Sequence, residues 1–207
     1  MNNARTPGVV TITLSIVFLF IGSSSLMAQE ASPAAKQTPA ATAESGSKKY
    51  FTDIQLVNQN GEKMRFYSDL LQNKVVVINS FFATCTGSCL PLNRNLEKLQ
   101  KALGDHMGKE VYFISISVDP TVDTPPNLKA YAKKLNAGPG WYFLTGDKEN
   151  VDFALKKIGH FVDTKTDHLN IFIIGNERTG LWKKAFGLAR DDELMKVVES
   201  VLNDKGQ

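Results

Sequence analysis

Residues 75–89 read Val75-Val-Val-Ile-Asn-Ser-Phe-Phe-Ala-Thr-Cys85-Thr-Gly-Ser-Cys89. The first eight, Val75 to Phe82, are a nearly continuous β-branched and aromatic run, the signature of a strand buried on both faces. Four leucines follow at helical spacing, Leu92, Leu96, Leu99 and Leu103, and Gly104 ends the pattern. A central strand therefore runs through two cysteines into a helix. The chain has only these two cysteines, so no disulfide framework holds the fold together.

Working outward, the pattern predicts a single α/β domain over 49–207. Upstream, Ile54–Val57 and Met64–Tyr67 flank the turn signal Asn58-Gln-Asn-Gly61 and read as an N-terminal hairpin. Downstream, Val111–Val118 is a second buried strand, stopped by Asp119-Pro120. Asp123-Thr-Pro-Pro126 starts a helix reaching about Leu135. Trp141–Leu144 is a short strand and Val151–Ile158 a helix. Leu169–Ile174 and Leu181–Phe186 form a hairpin around Gly175 and Gly180. Asp191–Leu202 is a last helix with an N-terminal pair of aspartates. Strand, helix and strand, then a strand hairpin and a helix, is the layout of a thioredoxin-like fold, here with an N-terminal β-hairpin extension.

Residues 1–28 read as an address rather than as part of the fold. Arg5 precedes a 13-residue apolar run, Val9–Ile21, and small residues follow to Ala28, the plan of a secretory signal. The apolar run is shorter than the roughly 20 residues a span needs, which favours cleavage after Ala28 over retention as a single membrane anchor. Either way the rest is exported: periplasmic, or anchored at the outer face of the inner membrane. Residues 29–48, rich in Ala, Ser, Thr, Pro and Gln, read as a flexible linker.

Composition narrows the function. Lys and Arg number 24 against 21 Asp and Glu, a formal charge of +3 over 207 residues. That is too little to argue for a nucleic acid partner. Hydrophobic residues are 43% and charged residues 22%, an ordinary globular balance that excludes a disordered chain.

The chemistry sits at Cys85 and Cys89. At the N-terminal end of a helix the dipole favours the thiolate, the form that attacks disulfides and binds soft metals. Spacing of i, i+4 places two helical side chains on one face, so both sulfurs reach one metal ion or each other. An inert structural bridge is the competing reading, but so local a loop constrains the unfolded chain little. Of three histidines, His106 and His160 read as surface or packing residues. His168 stands just before a strand, where a thioredoxin-like chain passes close to its active helix; position alone leaves open whether it is a ligand. Two thiolates and an imidazole suit Cu(I) by softness and also Cu(II), and suit structural zinc less. Asp119 and Asp123 read as turn and cap residues rather than a carboxylate pair.

With these residues on the page, the chain resembles the SCO/SenC family of thioredoxin-like copper proteins over about residues 50–203. The likeness rests on Cys85 and Cys89 with Pro91 after them, Ser117-Val-Asp-Pro120, Asp123-Thr-Pro125 and Leu128-Lys-Ala-Tyr-Ala132. It continues with Trp141-Tyr-Phe-Leu-Thr-Gly146 and Asp167-His168 before a strand. It implies copper binding by Cys85, Cys89 and His168. It further implies a metallochaperone for the CuA centre of cytochrome c oxidase, acting by copper delivery or by reducing that site's cysteines. The partner is then an oxidase subunit or another exported thiol protein. Leu90 stands where the family usually has Pro, and Thr86-Gly-Ser88 lacks the family's frequent Pro.

The alternatives use the same cysteines. A thiol-disulfide oxidoreductase needs Cys85 and Cys89 as a redox-active pair without His168. The cis-Pro expected before the last hairpin is missing, its place taken by Thr166-Asp167-His168, which disfavours general substrate reduction. A redox sensor would signal through the disulfide. A peroxidase is disfavoured because no Pro lies between Lys74 and Cys85.

Overall fold

A computed structural model describes residues 46–206. The export segment expected over 1–28 and residues 29–45 of the linker lie outside the described residues. Linker residues 46–48 fall in a short helix, α1 (Gly46–Phe51). Its end is docked: the Phe51 ring meets Phe66 edge-on at 5.9 Å and Trp182 at 5.5 Å, and Tyr50 donates to the Lys157 carbonyl at 3.0 Å.

Seven strands form one sheet: β1 (Gln55–Asn58), β2 (Lys63–Arg65), β3 (Val75–Phe81), β4 (Val111–Ser117), β5 (Trp141–Thr145), β6 (Ile171–Asn176) and β7 (Leu181–Phe186). The spatial order is β2-β1-β5-β4-β3-β6-β7. β3, β4 and β5 are parallel. β6 and β7 complete one side antiparallel, and the β1–β2 hairpin joins β5 antiparallel on the other. Helices α2 (Cys89–Leu103), α3 (Pro125–Lys134), α4 (Lys148–Lys157) and α5 (Asp191–Leu202) connect or follow the strands. This is the expected α/β, thioredoxin-like architecture with its N-terminal hairpin.

All seven residues of β3 are buried because each face has its own cover. Val75, Val77 and Phe81 pack with Leu92, Leu96, Leu99 and Leu103 of α2 and with Leu194, Val198 and Val201 of α5. Val76 and Ile78 point the other way, into a cluster with Phe51, Leu56, Phe66, Val151 and Leu155. The alternation is that of any strand; burial on both faces erases it from the sequence. On the β6–β7 hairpin, Gly175 sits opposite Trp182, where a Cβ would lie 2.1 Å from the indole ring. Only glycine lets that ring lie across the strand.

The main departure from expectation is the start of α2. It begins at Cys89, three residues before Leu92, and its first helical bond runs from the Leu92 N–H to the Ser88 carbonyl at 3.0 Å. Pro91 falls in the first turn, where a missing N–H costs nothing because no partner exists for it. β7 and α5 match their expected bounds, and the other helices and strands begin or end within three residues of where periodicity places them, the usual fraying of element ends.

Candidate metal centre

Parallel strands β3 and β4 both end at one edge of the sheet, and the loops that follow them build the site. Cys85 lies in the β3–α2 loop and Cys89 is the first residue of α2. The two cysteines therefore do not share a helical face. The loop brings the sulfurs together by turning at Ala83–Cys85, where the Cys85 N–H bonds the Phe82 carbonyl at 3.1 Å. Both cysteines are free thiols, Cys85 half-buried and Cys89 fully buried.

His168 arrives from the opposite direction, after a 3-10 turn (Lys165–Asp167) that precedes β6. Its Nε2 lies 3.0 Å from Cys89 Sγ. Its Nδ1 lies 3.1 Å from the Lys165 carbonyl. A carbonyl only accepts, so Nδ1 carries the hydrogen and the Nε2 lone pair faces the sulfur. This is the outer-shell device that orients metal-binding imidazoles. The Phe82 ring meets the imidazole edge-on at 5.4 Å and holds its plane. The two sulfurs and the imidazole nitrogen all lie within 4.8 Å of one another. Cys85 and His168 line a mouth of about 380 Å³ together with Phe82, Thr84, Thr86 to Ser88, Lys165 and Thr166, and Cys89 lies behind it.

The expectation that the helix dipole leaves a ready thiolate does not hold at Cys89. Burial pushes its thiol well above the ordinary range, and the hydrogen bond with Cys85 pushes the same way, against a smaller opposing contribution from the Phe82 backbone. Half a unit of helix charge does not offset the loss of water around a fully buried sulfur. The raised pKa favours the neutral Cys89 thiol, and with Nδ1 carrying the ring hydrogen its S–H donates to Nε2.

Asp123 carries a role its sequence context hides. It is not a helix cap: Thr124 holds that position without a side-chain bond. Asp123 is fully buried. Its carboxylate accepts from the Ala83 N–H at 3.1 Å and from the Ser117 hydroxyl. It therefore pins the loop that carries Cys85 to the end of β4. Burial raises its pKa despite these bonds. Asp119 works from outside, pairing with Lys165 at 2.6 Å and so strapping the β4–α3 loop to the loop of His168. Nothing in the local pattern Asp123-Thr-Pro-Pro126 separates such a brace from a cap.

Beneath the site, a chain of polar side chains ties α2 to the sheet. Trp141 Nε1 donates to Ser115 Oγ at 3.0 Å, and Ser115 donates to Asn79 Oδ1 at 2.7 Å. Asn79 Nδ2 donates to Asn93 Oδ1 at 2.9 Å, and Asn93 Nδ2 donates to Tyr131 Oη at 3.1 Å. Asn93 lies one helical turn beyond Cys89, so this chain anchors the start of α2 to the sheet. His106 is exposed and pairs with Glu110. His160 is buried against Ser80 on the other face of β3, with Nδ1 3.0 Å from Ser80 Oγ. Neither joins the cluster.

The family model described as SCO1/SenC matches residues 42–202. The chain is similar to the SCO1 protein homolog of Bacillus subtilis, 35% identical over 102 residues, which is 48% of this chain and 51% of that one. The chain spans about half the length of the curated relatives it matches. Among solved structures, a SCO1/SenC family lipoprotein from Bacillus anthracis superposes with a TM-score of 0.62 at 29% identity, covering 72% of this chain and 92% of that one. BsSco, described as having a disulfide switch and as a member of the Sco family of cytochrome c oxidase assembly proteins, superposes with a TM-score of 0.61. It is 27% identical, with 73% and 92% coverage.

Proposed function

The chain belongs to the SCO1/SenC family, and from that premise we propose that it is an exported copper-handling protein. Cys85, Cys89 and His168 hold the ion as cargo for the CuA centre of cytochrome c oxidase. The observation that carries this reading is the convergence of two sulfurs and one pre-oriented Nε2 within 4.8 Å at an open mouth. Two thiolates and an imidazole are the donor set that softness assigns to Cu(I), with Cu(II) also suited. Three protein ligands leave a place for an incoming ligand from an acceptor, which a closed four-ligand zinc site does not. The cation also answers the electrostatics: burial penalises a free thiolate at Cys89, and a bound cation removes that penalty.

Each residue has a part. Cys85, half-buried at the mouth, is the sulfur an acceptor meets first. Cys89 and His168, nearly buried, hold the ion from below. Asp123 keeps the Cys85 loop in place, and the Lys165 carbonyl keeps Nε2 turned inward. The apolar run at 9–21 supports export to the periplasmic side, either cleaved or anchored.

The test is copper binding by the reduced full chain, read by metal analysis and by competition with a Cu(I) chelator. We expect one copper per chain, weakened at least about a thousandfold in Cys85→Ser and Cys89→Ser, since each removes one of three ligands. Weak binding that survives all of these changes sinks the reading.

The closeness of the two sulfurs, within 4.8 Å of each other, supports a second use of the pair. The dithiol gives two electrons and two protons to a partner disulfide and closes as a Cys85–Cys89 disulfide. The midpoint potential of the metal-free chain, measured by alkylation in glutathione buffers, decides it. A value far below the potential of the acceptor's cysteines favours reduction, and one far above it leaves copper delivery alone.

A further inference from the structure

One side of the β6–β7 hairpin is only partly covered. Leu181 and Ala185 of β7 pack into the cluster of α2 and α5, and Lys183 Nζ bonds the Ser200 hydroxyl of α5 at 2.8 Å. Strand alternation turns Trp182, Lys184 and Phe186 to the opposite side, where Trp182 packs with the cluster that holds Phe51 and Leu155. A groove of about 420 Å³ opens there, lined by Tyr50, Ile158, Ile173 and Trp182 together with Lys157 and Lys184. Tyr50 and Phe186 are the most exposed large hydrophobic side chains among the described residues, at 50% and 58%. Both belong to this side: Tyr50 lines the groove, and Phe186 lies two residues along β7 from Lys184.

The charge of this side has one sign. Residues 46–51 and 153–158 and the outward positions 182, 184 and 186 hold five lysines and no carboxylate. Lys157 and Lys184 make no ion pair among the described residues. The Lys157 ammonium lies instead 4.3 Å from the centre of the Tyr50 ring. Earlier on α4, Asp152 is already paired with Lys148. Aromatic rings beside unpaired lysines suit a layer of anionic lipid headgroups: ammonium groups meet phosphates, and Tyr and Trp rings settle at headgroup level. A second copy of the same face sets lysine against lysine. The path of the chain points the same way. Gly46, the first described residue, lines the groove, so the polypeptide coming from the apolar run at 9–21 enters the domain on this side.

We propose that Tyr50, Lys157, Trp182, Lys184 and Phe186 form the face on which the domain lies against an anionic bilayer. The strands then run roughly along the membrane surface. The mouth, at the edge where β3 and β4 end, opens sideways along the bilayer rather than away from it. This inference does not depend on copper.

The experiment places the full chain on vesicles of phosphatidylcholine, with or without a quarter of phosphatidylglycerol, whose acyl chains carry bromine near the headgroup. The run at 9–21 can itself hold the chain on a vesicle, so the readout is local: quenching of Trp182 fluorescence by the lipid bromine. Trp141, the other tryptophan, is 1% exposed in the cluster of α2 and serves as the internal reference. We expect quenching severalfold stronger with phosphatidylglycerol and lost in about 0.5 M salt. Lys157→Glu with Lys184→Glu should abolish the difference between the two lipids. Tyr50→Ser with Phe186→Ser should weaken quenching severalfold. Lys129→Glu with Lys133→Glu, the same charge change on the exposed side of α3, should leave it unchanged, and every variant should keep the wild-type copper affinity. Equal quenching on the two lipids, or quenching that survives Lys157→Glu with Lys184→Glu, overturns the basic face and leaves the copper reading standing. Equal quenching by a monomeric brominated fatty acid overturns the bilayer in favour of a single amphiphile in the groove. Vesicle-free dimers that Phe186→Ser dissociates, seen by sedimentation, overturn it in favour of self-association.

Discussion

His160 and His168 lie eight residues apart on the same connection, and both are nearly buried, at 1% and 9% exposure. Each has Nδ1 in a hydrogen bond. At His160 the partner is Ser80, and Nε2 is sealed in the core without a partner. At His168 the partner is a backbone carbonyl, and Nε2 meets the Cys89 sulfur at a mouth open to solvent. Burial alone thus does not make a ligand. What separates the two is where the second nitrogen points and whether anything can reach it.

The sharpest way to break this contrast is to remove each ring in turn. His168→Ala should weaken copper binding by about a thousandfold, a loss near 4 kcal/mol, while His160→Ala leaves it unchanged. Chelator competition on the full chain measures both. Equal losses would mean that the two rings do one job, and the contrast would collapse.

A second prediction uses pH. Burial lowers the His160 pKa from 6.5 to about 4. The unfolded chain then binds more protons than the folded one between these values. Stability is complete above pH 6.5 and falls as pH drops toward 4, by a loss on the order of 3 kcal/mol. Denaturant midpoints of the metal-free chain across that range, beside His160→Phe, test it. A variant as pH-sensitive as the wild type removes His160 as the cause.

A third substitution asks how far the support of the site extends. Oδ2 of Asp123 accepts from both the Ala83 N–H and the Ser117 hydroxyl, and Oδ1 takes a second, longer bond from the Ala83 N–H at 3.3 Å; Asn keeps one oxygen and turns a donor toward that N–H. Asp123→Asn should loosen the Cys85 loop and cost about tenfold in copper affinity, the scale of outer-shell changes at metal sites. An affinity equal to wild type would confine Asp123 to stability.

The smallest effect belongs to the chain beneath α2. Tyr131→Phe leaves the Asn93 side-chain amide without its acceptor in the core. It should cost about 1 to 2 kcal/mol of stability and leave copper affinity close to wild type. A larger affinity loss would mean that this chain positions Cys89 more strictly than packing does.

Most of the fold was legible because hydrophobic periodicity is local. Leu92, Leu96, Leu99 and Leu103 announce one buried helix face wherever the helix goes, and Val75–Phe81 announces a strand covered on both sides. The start of α2 was not legible, since Cys89, Leu90 and Pro91 carry no apolar period and Pro91 reads as a breaker until its place in the first turn is known. The docking of α1 was hidden too. Phe51 finds Phe66 and Trp182 only across the assembled sheet.

The sequence by itself determined that two thiols follow a buried strand, that a helix begins beside them, and that a histidine stands before a later strand. Tertiary structure alone decided that Cys85 leaves the helix, that burial outweighs the dipole at Cys89, that Asp123 braces a loop instead of capping a helix, and that His168 rather than His160 turns a free nitrogen toward sulfur. Chain order sets the residue types and their local periods. Burial, hydrogen-bond partners and the direction of a lone pair depend on which distant segments arrive, and each is a property of the packed assembly.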